Sequence, residues 1–339
     1  MKVLITGGSG FIGSHLAEAH LKCGDEVWAV DTAMNLKVRH LLPNPKFHYV
    51  KASVMDAEFL EGFVIRCDLV YHHAAVVGVE HYVDDPLNVL NVNILGTLNV
   101  LRLAHRHGKR VCFASTSEVY GRNPRVPWKE DDDRVLGSTT IDRWCYSTSK
   151  AAGEHYCWAY RRIGLEVSAV RYFNIIGPRL DKIDVGRVIT IFMGQLLRNE
   201  PITVIGDGRQ TRCFTYIDDA VRGTMAAALK PEAIGQVFNI GDDRETQILE
   251  LAKTMLKIMG RDPKKNIKFV KQEQVYGPKY EDIPRRVPDI TRMKKVLGVA
   301  PSVSLEEALR RTMDWFKTEQ EIKPALTSAS MESGKGSRK

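Results

Sequence analysis

The sequence predicts an α/β fold in which a doubly wound parallel sheet is followed by a smaller C-terminal α/β domain. Three observations predict it. A glycine-rich stretch at the start of the chain lies between a strand pattern and a helix pattern. Strand and helix patterns then alternate up to residue 174, and their β-branched, apolar strands are typical of parallel sheets covered on both faces. Beyond residue 174 the pattern loosens into short segments punctuated by Gly and Pro.

The first strand, at residues 3–5, leads into glycines and then into an apolar helix pattern that begins at Phe11. Such a turn leaves backbone N–H groups and the positive end of a helix dipole facing one point, which suits a pyrophosphate. The turn therefore predicts a dinucleotide site. The residues predicted to bind the cofactor here are Gly7, Gly10, Phe11, Ile12 and Gly13.

The second strand, at residues 26–30, ends in Asp31. An acidic residue about 20 residues beyond such glycines binds a ribose 2′-hydroxyl and repels a 2′-phosphate. The pattern therefore predicts NAD rather than NADP as the cofactor. The alternative is a structural turn in which Asp31 only caps the chain.

The later elements continue the alternation and predict the domain boundaries. Strands are predicted at 47–50, 69–72, 110–115 and 166–171, and helices at 56–65, within 86–107, from Trp144, and at 187–198, 217–229 and 248–259. Residues 1–174 are predicted to form an NAD-binding Rossmann domain, and residues 175–322 a mainly substrate-binding domain that closes over the cofactor. Residues 323–339 are small, polar and basic, and predict a disordered tail.

Composition excludes several classes of protein. The 49 basic residues are interleaved with 41 acidic ones, so the net charge of +8 favours a small anionic ligand over nucleic acid. Six cysteines without a C-x-x-C pair predict reduced thiols, and the spacing of the histidine pairs predicts no metal site. No stretch approaches the roughly 18 apolar residues of a membrane span, and one lysine before the first strand leaves no room for a signal peptide. We therefore expect a cytoplasmic protein without a membrane partner.

Tyr146 and Lys150 are the strongest catalytic candidates. They lie four residues apart on a predicted helix and so share one face, and no other tyrosine of the chain has a lysine four residues on. A nearby ammonium favours the phenolate form of a tyrosine, which makes Tyr146 a candidate base, and Lys150 can also hold the nicotinamide ribose. The alternative is an exposed helical pair.

Polar side chains follow the fifth strand, at Thr116, Ser117 and Glu118. The carboxyl end of a parallel strand lies beside the ligand in such folds, so these residues are also predicted to be catalytic. Thr116 is placed to bond a substrate hydroxyl together with Tyr146, and Glu118 to carry a proton. The alternative is that Ser and Thr only form the turn.

Together these motifs resemble the extended short-chain dehydrogenases that modify nucleotide sugars, over about residues 1 to 320. The matching segments are 6–13 (TGGSGFIG), 72–75 (HHAA), 93–97 (NILGT), 115–121 (STSEVYG), Tyr146 with Lys150, 171–174 (RYFN) and 206–212 (GDGRQTR). The resemblance implies Thr116, Tyr146 and Lys150 as the catalytic triad. It adds Ala74, Ala75 and Asn93 as cofactor residues, and Asn174, Arg179 and Arg212 as contacts of a UDP-sugar substrate. Ser53 departs from the pattern, since the family often has an Asp there that binds adenine.

Within that family, the residues after the fifth strand distinguish the reactions. Sugar 4-epimerases typically carry a small residue where Glu118 stands, and 4,6-dehydratases carry Asp-Glu where this chain has Ser117 and Glu118. The Ser-Glu pair resembles the UDP-glucuronate decarboxylases, as do residues 143–144 (RW) and 277–288 (GPKYEDIPRRVP). That match implies that Arg286 lies near the reacting end of the substrate. Alternatively, Arg285 and Arg286 are a solvated surface pair.

The resemblance implies oxidation of the sugar C4 to a ketone, with Tyr146 taking the hydroxyl proton. In a glucuronate the C6 carboxylate is then β to the ketone and leaves as CO2, with Arg286 orienting it and Glu118 helping to deliver a proton to C5. The sequence does not decide whether the ketone is reduced, which gives UDP-xylose, or released as UDP-4-ketopentose. The alternatives are a UDP-sugar 4-epimerase acting on glucose, N-acetylglucosamine or glucuronate, an NDP-sugar dehydratase, and a non-catalytic NAD-sensing scaffold protein.

The long helices predicted at 86–107 and 144–162 also predict a homodimer. Both carry apolar residues at helical spacing, and the family that the chain resembles commonly pairs these helices in a four-helix bundle. The alternative is that both helices pack only on their own sheet.

Overall fold

A computed structural model of the chain describes residues 1–184, 186–271 and 283–318. The predicted tail at 323–339 and residues 277–282 of the segment 277–288 lie outside the described residues. The described chain divides into two compact units. Unit 1 contains residues 1–175, 210–247 and 283–302, and unit 2 contains the described residues of 176–209, 248–271 and 303–318.

Short strands alternate with helices through most of the chain. In chain order the strands are β1 (Lys2–Thr6), β2 (Glu26–Asp31), β3 (Phe47–Lys51), β4 (Leu69–His72), β5 (Arg110–Thr116), β6 (Val167–Tyr172), β7 (Ile175–Ile176), β8 (Ile202–Ile205), β9 (Thr211–Cys213), β10 (Thr215–Tyr216), β11 (Val237–Ile240), β12 (Glu245–Gln247), β13 (Ile267–Val270) and β14 (Arg285–Arg286). The helices are α1 (Phe11–Lys22), α2 (Ala57–Val64), α3 (Val79–Asp84), α4 (Pro86–Leu90), α5 (Gly96–Arg106), α6 (Arg143–Arg162), α7 (Val188–Leu197), α8 (Ile217–Leu229), α9 (Ile248–Ile258) and α10 (305–318).

Unit 1 is built on a seven-stranded sheet with the order β3-β2-β1-β4-β5-β6-β11. Every pairing in this sheet is parallel, which confirms the predicted doubly wound fold. The buried positions of β1 and β4 are mostly apolar, with Thr6 and His72 as polar exceptions, because helices cover both faces of the sheet. A small sheet, β12-β9-β14, also belongs to unit 1.

Unit 1 takes in more of the chain than the predicted boundary at residue 174 allows. Strand β11 pairs with β6, with Val237 opposite Ala169, and so extends the sheet at its edge. Helix α8 packs against β5 and β6. Unit 2 combines the parallel pair β8 and β13 with α7, α9 and α10. The chain therefore returns to the first unit after its loosely patterned segment.

Helix α4 continues through a π-helical turn, Asn91–Leu95, into α5. Asp85 starts it by accepting a hydrogen bond from the amide of Asn88, with Pro86 in the first turn, as is common at helix N-termini. The combined helix Pro86–Arg106 is the one helix of the described residues that is long and apolar enough to span a membrane, with a mean hydropathy of 1.2. The prediction of no such stretch is therefore wrong by this measure. Much of its apolar surface instead packs in the core, through residues such as Val100 and Leu101.

The spatial order of the strands reverses between β1 and β4, and ligands of such sheets bind at the carboxyl ends of the strands near this reversal. The predicted site residues follow that same edge. They are Gly7 after β1, Asp31 at the end of β2, Ala74 and Ala75 after β4, Thr116 at the end of β5 and Asn174 after β6.

Candidate active site

The turn between β1 and α1 has no room for a side chain at Gly7 or Gly13. Gly7 has a φ of 70°, and a Cβ on it would lie 2.8 Å from the amide nitrogen of Ala74. A Cβ on Gly13 would lie 2.3 Å from the carbonyl oxygen of Gly7. Within the described chain no side chain caps α1 at Gly10. The first amides of this helix therefore remain available to an anionic ligand.

Asp31 lies beside this turn. Its carboxylate accepts hydrogen bonds from the amides of Ser9, at 3.1 Å, and Thr32, at 2.9 Å. These bonds fix the carboxylate next to the glycine turn. There it can accept hydrogen bonds from a ribose diol and would repel a 2′-phosphate. Ser53, which departs from the family pattern, accepts a hydrogen bond from the amide of Met55 and so stabilises the turn after β3.

Asn93 lies in the π-helical turn and is almost fully buried. Its side-chain amide accepts a hydrogen bond from the backbone amide of Val76 and donates to the carbonyl of the same residue. It also donates to the Ser149 hydroxyl, which in turn donates to the carbonyl of Tyr146. Asn93 thus ties the segment that follows Ala74 and Ala75 to helix α6.

Tyr146 lies in the first turns of α6 and is 6% exposed. Its ring stacks on that of Tyr82 in α3, with ring centroids 4.8 Å apart and an interplanar angle of 11°. Thr116 caps the 3₁₀ turn Ser117–Tyr120, since its hydroxyl accepts a hydrogen bond from the amide of Glu118. Thr116 therefore does help to form the turn, as the alternative held. The hydrogen of the same hydroxyl can still be donated to another group. Ser117 is buried in this turn.

Lys150 follows Tyr146 by one helical turn and is also buried. Its ammonium lies 4.7 Å from the centroid of the Phe113 ring. Burial lowers the pKa of Lys150 to about 8, against the opposing effects of Cys157 and Glu154. The side chain therefore keeps its proton at neutral pH and supplies a positive charge one turn from Tyr146. A buried cation at this place favours a phenolate.

A buried ion pair anchors α6 to the sheet. Glu154 accepts hydrogen bonds from Arg171 on β6, at 2.6 and 2.9 Å, and from the hydroxyl of Ser115 on β5, at 2.5 Å. Arg171 also donates to the hydroxyl of Tyr120 and to the carbonyl of Glu130. This network fixes the helix that carries Tyr146 and Lys150 against the two strands that border the site.

Glu118 is held between two arginines. Arg286 donates a hydrogen bond to Oε1 of Glu118, and Nη2 of Arg143 lies 3.6 Å from Oε2. Burial alone would raise the pKa of Glu118, but the charges of Arg286, Arg143 and Arg212 and the hydrogen bond from Arg286 outweigh it, so the pKa lies below its usual value. Glu118 is therefore ionised at neutral pH.

Strand β14 brings Arg286 to this place. It pairs with β9, where Arg286 lies opposite Arg212, and the backbone beyond it is fixed by a hydrogen bond from the Trp128 amide to the carbonyl of Val287. Arg285 is exposed and forms a bidentate ion pair with Glu245 at 2.8 Å. Arg285 is thus a surface residue, as the alternative held, whereas Arg286 is buried.

The other predicted substrate residues are distributed over both units. Arg212 donates to the carbonyl of Thr211 and contributes positive charge at Glu118. Asn174, with a φ of 39°, donates to the carbonyl of Cys213. Arg179 belongs to unit 2 and has a φ of 66°. Among the described residues, no group of three or more His, Cys, Asp or Glu side chains is arranged to hold a metal ion.

Comparison with known proteins decides the family. The sequence model of the NAD dependent epimerase/dehydratase family matches residues 3–241. The chain belongs to this family. NAD is accordingly the cofactor. The glycine turn, the uncapped N-terminus of α1 and the carboxylate of Asp31 fit it, because they offer amides to a pyrophosphate and acceptors to a ribose.

Relatives in this family include decarboxylases. The chain is 40% identical over 317 residues to the UDP-N-acetyl-alpha-D-glucosaminuronate decarboxylase of Bacillus cytotoxicus, with 93% of this chain and 98% of that protein covered. It is 39% identical over 317 residues to UDP-glucuronic acid decarboxylase 2 of Arabidopsis thaliana, with 91% of this chain and 66% of that longer protein covered.

Solved structures of the family include a UDP-glucuronic acid 4-epimerase. This Bacillus cereus protein, in complex with UDP-glucuronic acid and NAD, has a TM-score of 0.83 and 31% identity, with 94% of this chain and 99% of that chain covered. The UDP-glucose 4-epimerase of Thermotoga maritima with UDP-glucose also has a TM-score of 0.83, with 33% identity and 94% and 100% of the two chains covered. The fold is therefore shared by 4-epimerases of different UDP-sugars.

Three features of this family member were missed by reasoning from sequence. Tyr82 stacks on Tyr146, Glu154 anchors α6, and Arg143 contacts Glu118. Helical spacing offered a signal for Arg143 alone, because it precedes Tyr146 by three residues and so lies near the same helix face. Nothing in the sequence pattern indicates that Tyr82 and Tyr146 meet, since α3 and α6 are far apart in the chain.

Proposed function

We propose that this protein is a UDP-glucuronate decarboxylase, which oxidises the sugar at C4 and releases the C6 carboxylate as CO2. The observation that carries the proposal is the pair of arginines, Arg143 and Arg286, that converges on Glu118 at the end of β5. A guanidinium matches a carboxylate in charge and shape, whereas a neutral hexose offers no such group. The decarboxylases among the relatives support the same choice.

The oxidation step uses the residues around Tyr146. Gly7, Gly10, Gly13 and Asp31 would hold NAD, which when bound supplies a hydride acceptor for C4. Tyr146 takes the proton of the C4 hydroxyl as a base. The charge of Lys150 stabilises the phenolate form of Tyr146 that accepts this proton, and the Thr116 hydroxyl donates a hydrogen bond to the same sugar oxygen.

The second step uses the arginines. Once C4 is a ketone, the carboxylate at C6 is β to it, so the C5–C6 bond breaks with its electron pair delocalised into an enolate. Arg286 orients the departing carboxylate, and C5 then takes up a proton. Because the low pKa of Glu118 keeps this carboxylate ionised, it must first accept a proton, from water or another donor, before it delivers one to C5.

We further propose a homodimer that acts in the cytoplasm. Apolar side chains recur along the outer side of the helical segment formed by α3, α4 and the π-helical turn, where Val83, Leu87 and Leu95 are 60%, 66% and 45% exposed. Such a stripe supports burial against a second copy in a two-fold interface. The six cysteines are free thiols, which supports a reducing compartment.

The test is turnover of a panel of nucleotide sugars followed by product mass. The panel contains UDP-glucuronate, its 2-acetamido analogue UDP-N-acetylglucosaminuronate, UDP-glucose and dTDP-glucose. We expect UDP-glucuronate to lose the mass of CO2. Loss of water would indicate a dehydratase, and an isomer of unchanged mass an epimerase. Either result without CO2 release from UDP-glucuronate would overturn the proposal.

A further inference from the structure

His72, at the end of β4, is fully buried, and each of its ring nitrogens lies within hydrogen-bond distance of a threonine hydroxyl. Nδ1 lies 2.8 Å from the hydroxyl oxygen of Thr6 on β1, and Nε2 lies 2.9 Å from that of Thr97 on α5. This one side chain therefore joins three elements of unit 1.

The other partners of the two threonines decide which ring nitrogen carries the proton. A hydroxyl has one hydrogen to donate, and that of Thr97 goes to the carbonyl oxygen of Asn93, at 2.6 Å. The Thr97 oxygen therefore accepts from His72, and Nε2 is protonated. Complete burial, with a further contribution from the charge of Lys150, lowers the pKa of His72 well below its usual value. The ring is thus neutral, and Nδ1 accepts the hydroxyl hydrogen of Thr6.

The Thr6 oxygen also accepts a hydrogen bond from the backbone amide of Ala74, at 3.2 Å. Because the hydroxyl hydrogen of Thr6 is donated to His72, its lone pairs are directed towards Ala74. The backbone of Ala74 in turn packs on the glycine turn, where a Cβ on Gly7 would lie 2.8 Å from the Ala74 amide nitrogen. A displacement of Ala74 therefore disturbs the turn whose amides suit the pyrophosphate of NAD.

A second set of hydrogen bonds reaches the same segment. The side chain of Asn93 bonds both backbone groups of Val76, and its carbonyl accepts the hydrogen of Thr97. Residues 74–76 are thus fixed at one end through His72 and at the other through Asn93. Both sets of bonds meet in the π-helical turn.

We propose that His72 is a positioning residue for NAD. Its neutral ring, protonated on Nε2, acts through Thr6 to keep Ala74 packed against Gly7. Thr97 supports this role, because its oxygen accepts from Nε2 and so favours the tautomer in which Nδ1 is an acceptor. The inference concerns the binding of NAD alone and does not depend on which sugar the protein converts.

The test is the affinity for NAD without sugar, measured by calorimetry on the wild type, His72→Leu, Thr97→Val and the double variant. We expect His72→Leu to weaken NAD binding by about fivefold or more, the scale of one neutral hydrogen bond. Thr97→Val keeps the shape of the side chain but should also weaken binding, because Nε2 loses its acceptor. The double variant should bind NAD within about twofold of His72→Leu, since both changes interrupt the same chain of bonds.

His20→Leu is the matched control for general damage to the fold. His20 is also fully buried, and its ring nitrogens bond Asp25 and Tyr71. It lies near the C-terminal end of α1, however, whereas the glycine turn precedes this helix. We expect both leucine variants to melt below the wild type, and only His72→Leu to lose affinity for NAD.

A second measurement reports the tautomer directly. In the wild type, the ring ¹⁵N resonances of His72 should show a protonated Nε2 and an unprotonated Nδ1. In Thr97→Val the acceptor of Nε2 is gone, so the form protonated on Nδ1 should increase. A role of His72 in filling space alone would leave this balance unchanged.

The inference is wrong if His72→Leu binds NAD like the wild type, or if His20→Leu loses as much affinity. It is also wrong if the wild-type ring is protonated on Nδ1, or if the loss in the double variant is the product of the two single losses. Should His72→Leu not fold, an unchanged NAD affinity of Thr97→Val would overturn it. If these results are as expected but UDP-glucuronate releases no CO2, the inference stands and only the proposed function fails.

Discussion

At the scale of single residues, the site consists of two groups at the end of β5. Tyr146 and Lys150 share one face of α6, and Glu118 lies between Arg143 and Arg286. The group with Tyr146 has the chemistry to remove a proton from a sugar hydroxyl. The group with the arginines has the chemistry to bind a carboxylate. Each group can be tested without disturbing the other, because they use different side chains.

Replacing Tyr146 by Phe removes the phenolic hydroxyl with little change in volume. We expect turnover to fall by at least about 10²-fold, as is usual when a general base is lost. NAD binding and the melting temperature should stay as in the wild type. Tyr160→Phe, at the far end of the same helix, is the control and should leave turnover unchanged. Near-normal activity of Tyr146→Phe would exclude Tyr146 as the base.

The pKa of Lys150, lowered by burial to about 8, predicts an alkaline limit of activity. As the pH rises through this value, the ammonium loses its charge and no longer stabilises the phenolate. We therefore expect kcat/KM to decline above about pH 8. In Lys150→Arg the cation persists, so whatever activity remains should not show this decline of kcat/KM at alkaline pH. A wild-type profile that stays flat through this range would contradict the role of the lysine charge.

Asp31 predicts the choice of cofactor. Its carboxylate, fixed by the amides of Ser9 and Thr32, lies where a 2′-phosphate would be repelled. We expect NAD to bind at least about tenfold more tightly than NADP, because close like charges are costly. Asp31→Ala should reduce this difference between the affinities for NAD and NADP. Equal affinities of the wild type for both cofactors, measured by calorimetry, would contradict the prediction.

The sequence predicted the site residues unevenly. Gly7 and Asp31 are recognisable because their spacing follows from the geometry of one turn. For Arg286 the sequence left two alternatives open, a place near the substrate or a solvated pair with Arg285; in the structure Arg285 is exposed, whereas Arg286 is buried and bonds Glu118. Neighbouring side chains on a strand point to opposite faces, and only the pairing of β14 with β9 decides which face meets Glu118. A two-residue strand has no periodicity from which to predict that.

At the scale of elements, buried polar contacts attach α6 to the sheet. Glu154 joins it to β5 through Ser115 and to β6 through Arg171, all of them buried. At the N-terminal end of the helix, Ser147 donates to the carbonyl of Glu118 at 2.7 Å. The helix therefore fixes Tyr146 and the Glu118 turn relative to one another.

Glu154→Gln should destabilise the protein through this attachment. The substitution leaves the buried charge of Arg171 without its counterion, and removing one partner of such a pair costs about 3 kcal/mol. The free energy of unfolding in urea, followed by circular dichroism, is the measurement. Glu166→Gln is the matched control, because Glu166 pairs with Arg110 at the surface and should change stability by less than about 1 kcal/mol. Equal effects of the two variants would contradict the anchoring role.

The order of helices and strands was predicted better than their details. Buried parallel strands are rich in apolar residues, so β1, β4 and β5 are recognisable from composition. The π-helical turn Asn91–Leu95 was not predicted. Asn93 in this turn bonds to Val76 in another segment, and a contact between segments leaves no local periodicity.

At the scale of the whole molecule, the predicted division at residue 174 differs from the two units of the structure. Residues 210–247 lie in unit 1 because β11 pairs with β6. A short apolar strand is compatible with either unit when only its own sequence is considered. Its assignment depends on a pairing partner that the sequence pattern does not identify.

A homodimer is the prediction that concerns the whole molecule. Light scattering at micromolar concentration should give twice the chain mass of 38.2 kDa. Leu87→Glu combined with Leu95→Glu should give the monomer, because two charges would enter an apolar interface. Ile65→Glu is the control, since Ile65 is also exposed but lies at the end of α2. A monomeric wild type would refute the interface.

The position of β11 in the chain has a consequence for biosynthesis. A ribosome completes β6 well before it adds β11, so the nascent sheet carries an open edge for much of translation. All six residues of β6 are buried in the finished protein, and an exposed strand edge that waits for its neighbour is prone to pair with other chains. From the late return of the chain to its first unit we therefore expect the growing polypeptide to benefit from chaperones that shield strand edges.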